Sequence, residues 1–299
     1  MRGMGERRLG ARVKSGLRSM LQRYKASSVH GALQLGLEEL EPWRQTFLPY
    51  RPSARAYSLP LRRPHAGALP VPPRELWIDY AGSEEEFLAG GREHVARMRA
   101  LCAAHQKPLE EAERILELGC ASGRMLRWLE DLTERCEVWG ADISAEHVFW
   151  CKTHLCPPFH TLLSTTDPRL PFEDRSFGFV FAGSVFTHVD DLADAWFQEL
   201  RRILRPGGAL YVTLHDKHTV ELFQTRYADR ELARYLASCP EFPELCRGDW
   251  GMFTIGRSYK AQVFYDRPWL LEGLAGSFRE LASEPEAYAY QTGLLLERI

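Results

Sequence analysis

The chain has 299 residues, enough for one large domain with appendages, because single hydrophobic cores stop growing at roughly 250–300 residues. Lys and Arg number 38 against 40 Asp and Glu, and the formal charge of -2 gives no global electrostatic case for a DNA or RNA binder. The cysteines number 7 and form no C-x-x-C pair, which suits free thiols in a reducing compartment rather than a disulfide framework.

The first segment carries Arg2, Arg7, Arg8, Arg12, Lys14, Arg18, Arg23 and Lys25 against the single acid Glu6. Such a basic arm either stays solvated or rests on a partner or an anionic membrane surface. Residues 11–47 alternate basic and apolar positions in a way that predicts one or two amphipathic helices. From 49 to 73 the chain is rich in proline and arginine, and each proline restricts the residue before it, so an extended connector is expected. The division that follows is an arm and connector over 1–74 and a domain over 75–299. No run of about 18 apolar residues occurs and no signal-peptide pattern opens the chain, so the expectation is a cytoplasmic protein without a transmembrane segment.

Ser83 ahead of three glutamates and then Phe87 and Leu88 predicts a helix start, with the pattern continuing through Leu101. Beyond Glu113, apolar runs alternate with amphipathic segments, the order of a parallel sheet with crossover helices. Strands are predicted at 114–118, 137–142, 161–164, 177–182 and 209–214, with helices at 124–132, 145–154 and 191–204. Residues 216–262 break the rhythm and read as an insertion over the carboxyl edge of the sheet. A helix near 268–275 and two strands near 278–281 and 289–297 complete the chain. Cys151, His154 and Cys156 match no standard zinc spacing, so no metal is expected.

Three motifs carry the chemistry. In Ile115-Leu116-Glu117-Leu118-Gly119-Cys120-Ala121-Ser122-Gly123, a buried strand ends in an acid and a small-residue turn that opens a helix. Such a turn lets the backbone approach a ligand and turns unpaired N–H groups toward it. The dinucleotide fingerprint would need glycine at 121 and a small residue at 124, where this chain has Ala121 and Arg124. Gly140-Ala141-Asp142 then closes the next strand with an acid able to accept bonds from both ribose hydroxyls. The third motif joins Leu170-Pro171-Phe172, Ser184-Val185-Phe186-Thr187-His188 and Leu204-Arg205-Pro206-Gly207-Gly208.

Through these three motifs, residues 75–299 resemble the class I S-adenosylmethionine-dependent methyltransferases, particularly bacterial small-molecule members. The resemblance implies an α/β fold: a seven-stranded, mostly parallel, Rossmann-like sheet with an antiparallel last strand, here around Tyr290-Gln291-Thr292, and helices on both faces. It implies S-adenosyl-L-methionine as cofactor, with Glu117, Gly119, Ala121 and Gly123 at the methionine moiety and Asp142 at the ribose. Ile143 and Asp167 would border the adenine, Ser184 would lie near the sulfonium, and Arg124 would pair the methionine carboxylate. Two residues depart from the pattern: Ala121 replaces a glycine, and Gly178 replaces an aspartate.

A general base is needed only if the acceptor must lose a proton. His188, just past the fourth strand, is the first candidate, and His215, past the fifth, is the second, with His218 beside it. Phe223, Tyr227, Trp250, Phe253, Tyr259 and Tyr265 either line an acceptor pocket or form the insertion's own core. The expected activity is methylation of a small-molecule acceptor, foremost a hydroxyl of a natural product or sugar. The alternative is a catalytically inactive subunit that keeps the fold for binding or scaffolding.

Overall fold

The computed structural model describes residues 69–78, 81–256 and 260–299. The basic arm, the helices predicted over 11–47, most of the connector and Tyr259 lie outside the described residues.

The sheet grows from strands whose alternate side chains face two separate cores. Strands β1 (Arg114–Leu118), β2 (Glu137–Asp142), β3 (His160–Leu163), β4 (Phe177–Ala182) and β5 (Leu204–Leu214) run parallel. After the insertion, β8 (Phe278–Tyr288) and β9 (Gln291–Arg298) complete a seven-stranded sheet in the order β3-β2-β1-β4-β5-β9-β8. Strand β9 enters antiparallel between β5 and β8, which makes the sheet the predicted one.

Leu116, Val180, Val212 and Leu294 face one layer, built by helix α3 (Ala193–Ile203) and helix α7 (Arg267–Leu274). Ile115, Phe179, Tyr211 and Leu295 face the other, where helix α1 (Glu84–Ala104) contributes Val95, Met98 and Cys102, and helix α2 (Ala145–His154) contributes Trp150 and Cys151. Burying such residues is the main driving force for closing the three layers, at roughly 25 cal/mol per Å² of apolar surface. Ser83 caps α1 by accepting from the Glu86 N–H, as the sequence pattern predicts.

Three elements differ from expectation, the first being the strand predicted near 278–281, which runs over Phe278–Tyr288. The helix predicted over 124–132 is a 3-10 helix over Leu126–Leu132. Leu126, Leu129 and Leu132 are all buried, and their spacing of three matches the three-residue period of that helix. Strand β5 begins at Leu204, five positions ahead of the predicted 209, because Leu204 already pairs with Phe177 before the exposed Arg205–Gly207 segment.

The insertion folds into helices α4 (Lys217–Gln224), α5 (Glu231–Ala237) and α6 (Phe242–Arg247), then a hairpin of β6 (Met252–Ile255) and β7 (Gln262–Tyr265). Phe223, Phe264, Leu236 and Leu245 form its own core, with Tyr227, Trp250 and Phe253 packed against it. Of the two readings of these aromatics, the internal core is the one the structure shows. Tyr265 departs from the group and is buried in the main core. The end of the predicted connector is also part of this body, since the Pro70 carbonyl accepts from Arg127, and just beyond it the Leu76 carbonyl accepts from the Ser122 hydroxyl.

Candidate active site at the carboxyl edge of the sheet

The turn after β1 is shaped by backbone sterics. Gly119 and Gly123 have φ of +75° and +79°, in the left-handed region that a side chain opposes. A Cβ on Gly119 would lie 2.3 Å from Val185 Cγ2, so the loop after β4 sits directly on this turn. Ala121 has the same handedness, with φ of 44°, although it carries a Cβ. Its conformation is held from outside: the Ala121 N–H donates to Asp142 Oδ2 at 2.8 Å. The other oxygen of Asp142 accepts from the Ser144 N–H at 2.7 Å, so this one carboxylate ties the turn after β1 to the turn after β2. Burial raises the Asp142 pKa, while backbone donors and His147 oppose the rise.

Glu117 has the opposite arrangement. Its side chain is buried, the Leu126 N–H donates to the carboxylate, and Oε2 has no hydrogen-bond partner among the described residues. Burial lifts its pKa well above the ordinary carboxylate range, the neighbouring Asp142 lifts it further, and Arg124 pulls it down. An unpaired buried oxygen costs roughly 1–3 kcal/mol, so it marks a place where a donor from outside the chain would be stabilising.

Arg124 is buried at the start of the following segment. Its guanidinium donates to the Tyr288 hydroxyl and, at 3.1 Å, to His94 Nδ1, and His94 stacks on Tyr288 with ring centroids 4.0 Å apart. Burial, then Arg124 and Arg97, lower the His94 pKa to about 3, so the ring is neutral and its Nδ1 can accept. His94 and Tyr288 were not among the residues predicted from sequence. Helix α1 and the β8 end each supply one, and no local motif signals their meeting.

Ile143 follows Asp142 and is half-buried. Asp167 is exposed in the loop beyond β3, and its carbonyl accepts from the Thr165 hydroxyl. A groove of about 550 Å³ opens beside that loop, lined by Leu163, Ser164, Thr165, Arg169, Leu170 and Phe172 among others. The structure therefore brings Glu117, Gly119, Ala121, Gly123, Arg124 and Asp142 together, while the Asp167 side chain is exposed. Gly178 lies at the far end of β4, where an added Cβ would meet Ala112 at 3.1 Å, so its effect is on packing.

Past β4, Ser184 has φ of +60° and is half-buried. His188 lies four residues on, and its Nδ1 contacts the Ala261 carbonyl at 2.8 Å. A carbonyl only accepts, so Nδ1 carries the hydrogen and Nε2 carries the lone pair. Burial lowers the His188 pKa, and the bond to Ala261 partly opposes this. His215 is 1% exposed, with both ring nitrogens unpartnered among the described residues, and lies against Phe264, Tyr290 and Phe223. His218 lies outside this core and contacts Glu286 at 3.4 Å.

Strand β7 fastens the insertion here: the Val263 N–H donates to the Thr187 carbonyl and the Tyr265 N–H to the His215 carbonyl. The insertion is thus a cap joined to the loops after both β4 and β5.

Residues 116–212 match the family model described as Methyltransferase domain. Over that span the chain carries a methyltransferase domain. It is 30% identical over 106 residues to a malonyl-[acyl-carrier protein] O-methyltransferase of Enterobacter lignolyticus, covering 36% of this chain and 40% of that one. It is 25% identical over 123 residues to a fatty-acid O-methyltransferase of Mycolicibacterium smegmatis, covering 41% and 44%. The chain therefore matches less than half the length of these curated relatives. The solved PH0226 protein of Pyrococcus horikoshii OT3 shares the fold, with a TM-score of 0.50 at 19% identity over 68% of this chain and 90% of that one.

The chemistry of this turn is compatible with S-adenosylmethionine: the unpartnered buried oxygen of Glu117 would be satisfied by an ammonium donor, and Asp142 would have lone pairs for hydroxyls beyond the backbone bonds it accepts.

Proposed function

We propose that this protein transfers the methyl group of S-adenosylmethionine to a hydroxyl of a small-molecule acceptor, within a catalytic domain over 75–299. The observation that carries the reading is the turn after β1, where two glycines of positive φ and the Asp142 clamp surround the unpartnered oxygen of Glu117.

The bound cofactor supplies an electrophilic methyl group on a sulfonium. The chain's own work is to place the acceptor in line with it and exclude water. In this reading Glu117 and Arg124 hold the two ends of the amino-acid moiety, Asp142 the ribose, and Ile143 and Asp167 the adenine side. His188 receives the acceptor's proton at Nε2, because Nδ1–H is committed to Ala261. A neutral imidazole is the form this step requires, and burial keeps it neutral at pH 7.

A carboxylate acceptor is the second reading, favoured by the named activities of the two relatives, malonyl-carrier and fatty-acid O-methylation. It needs no base. Titration with S-adenosylhomocysteine, S-adenosylmethionine and NAD, alongside Asp142→Ala, tests the cofactor assignment common to both. Micromolar binding of the first two, absent for NAD and lost in a variant that still melts cooperatively, supports it. Failure of the wild type to bind either sulfur compound rejects it in favour of a non-catalytic scaffold that keeps the fold.

A further inference from the structure

A closed ring of hydrogen bonds joins the ends of β4, β5 and β9, and the direction of each bond can be assigned. The Ser184 N–H donates to Thr213 Oγ1 at 2.7 Å. The Thr213 hydroxyl therefore turns its hydrogen elsewhere, to Gln291 Oε1 at 2.6 Å. That contact fixes the orientation of the amide, whose Nε2 donates to Ser184 Oγ at 2.8 Å. The Thr187 hydroxyl donates to the Ser184 carbonyl at 3.0 Å, so the 3.2 Å contact between the two hydroxyls has Ser184 as donor.

Ser184 Oγ thus spends its hydrogen on Thr187 and one lone pair on Gln291. What it has left is a lone pair. Thr213, Thr187 and Gln291 are all buried, whereas Ser184 is half-buried, so Ser184 is the member of the ring that meets a ligand.

We propose that Gln291, its amide oriented by Thr213, is a positioning residue that holds Ser184 as a hydrogen-bond acceptor, so the loop after β4 takes a ligand group that donates. Two donors fit that chemistry: the ammonium of the cofactor's amino-acid end and the hydroxyl of the acceptor. A carboxylate acceptor, which has no hydrogen to give, is disfavoured at this position. The inference rests on the methyltransferase reading above, and it adds a residue of the last strand to the site.

The test uses the full chain as wild type, Gln291→Met and Gln291→Glu. Each is titrated with S-adenosylhomocysteine and with 5′-methylthioadenosine, the same nucleoside without the amino-acid end, and assayed for methyl transfer to 2-naphthol. If the donor is the ammonium, Gln291→Met weakens S-adenosylhomocysteine about fivefold to tenfold, the worth of one hydrogen bond, and leaves 5′-methylthioadenosine unchanged. If the donor is the hydroxyl, both titrations are unchanged and transfer to 2-naphthol slows by a similar factor.

In either case Gln291→Glu recovers as pH falls from about 8 to about 5.5. A protonated glutamate accepts from Thr213 and donates to Ser184 as the amide does, whereas an ionised one only accepts. Equal behaviour of the three proteins in all assays, or a Gln291→Glu deficit that ignores pH, overturns the proposal. A wild type that binds neither nucleoside rejects the methyltransferase reading instead. The ring is then read without ligand, by solvent exchange of the Gln291 side-chain amide. Protection that Ser184→Ala removes supports the assignment, and rapid exchange in the wild type overturns it.

Discussion

Replacing Glu117 by glutamine isolates the cost of keeping an unpaired carboxylate oxygen in the interior. The wild-type Oε2 is buried without a partner, and burial holds the folded-state pKa above its unfolded value of 4.5. Below about pH 4.5 both states are protonated, and the glutamine variant should match the wild type. As pH rises, the unfolded chain ionises while the folded one keeps its proton, so the wild type loses stability at up to about 1.4 kcal/mol per pH unit until the folded group ionises. Glutamine has no such loss. At pH 7.5 the variant should be more stable by about 1–3 kcal/mol. Each kcal/mol raises Tm by roughly 2–4 °C for a domain of this size. Calorimetry at pH 4.5, 6 and 7.5 measures the divergence, and titration with S-adenosylhomocysteine should show that the stabler protein binds more weakly. A variant that is less stable at pH 7.5, or whose gain is the same at all three values, would refute the assignment of Glu117 as an acid kept unpaired for a ligand.

Two further substitutions test single features. Ala121 has φ of 44°, and the left-handed conformation costs a non-glycine residue about 1–2 kcal/mol. Part of this is offset by the extra freedom of an unfolded glycine, so Ala121→Gly should stabilise by about 0.5–1 kcal/mol in urea unfolding. The same variant should bind S-adenosylhomocysteine more tightly; lower stability would show that the methyl group packs usefully. His215→Leu removes two unpartnered buried nitrogens and should stabilise at pH 7.5 by about 1–3 kcal/mol. Burial holds the folded His215 pKa at about 3 against 6.5 unfolded, so the wild type loses stability as pH falls below 6.5. The variant's advantage in urea midpoint should therefore widen at pH 5.5, and a constant gap would mean that the ring is not held neutral.

The strands β1, β2 and β4 occupy the residues predicted for them, because each is a short apolar run bounded by turn residues, a signal confined to neighbouring positions. The site was legible to the same depth. Glu117, Gly119, Gly123 and Asp142 lie at or just past strand ends within two consecutive βα units, so their meeting was legible from local spacing, while the roles proposed for them come from the family resemblance. Gln291, Tyr288 and His94 were not legible in that way. Gln291 reaches Ser184 across 107 positions, and Tyr288 reaches Arg124 across 164, through a sheet order in which the last strand inserts beside β5. Only the closed topology brings such residues together. The aromatics of the insertion show the converse limit, since composition alone does not distinguish a pocket wall from a small core, and the packing of Phe223 on Tyr290 and of Trp250 on Phe264 makes them a core.

The two acids at the head of the sheet divide their work. Asp142 has both oxygens bonded to backbone N–H groups, so it builds the turn in the ligand-free protein and has only its remaining lone pairs for a ribose. Removing it takes away the clamp on Ala121 together with any ligand contact. Glu117 leaves an oxygen unsatisfied at a cost to the fold, and Gln291 keeps Ser184 turned so that a lone pair remains. Two acceptors are thus kept open at this edge, one on β1 and the other fixed by β9. Chemistry at this edge should respond to substitutions in the last strand as strongly as to those in the first, although only the first carries the motif.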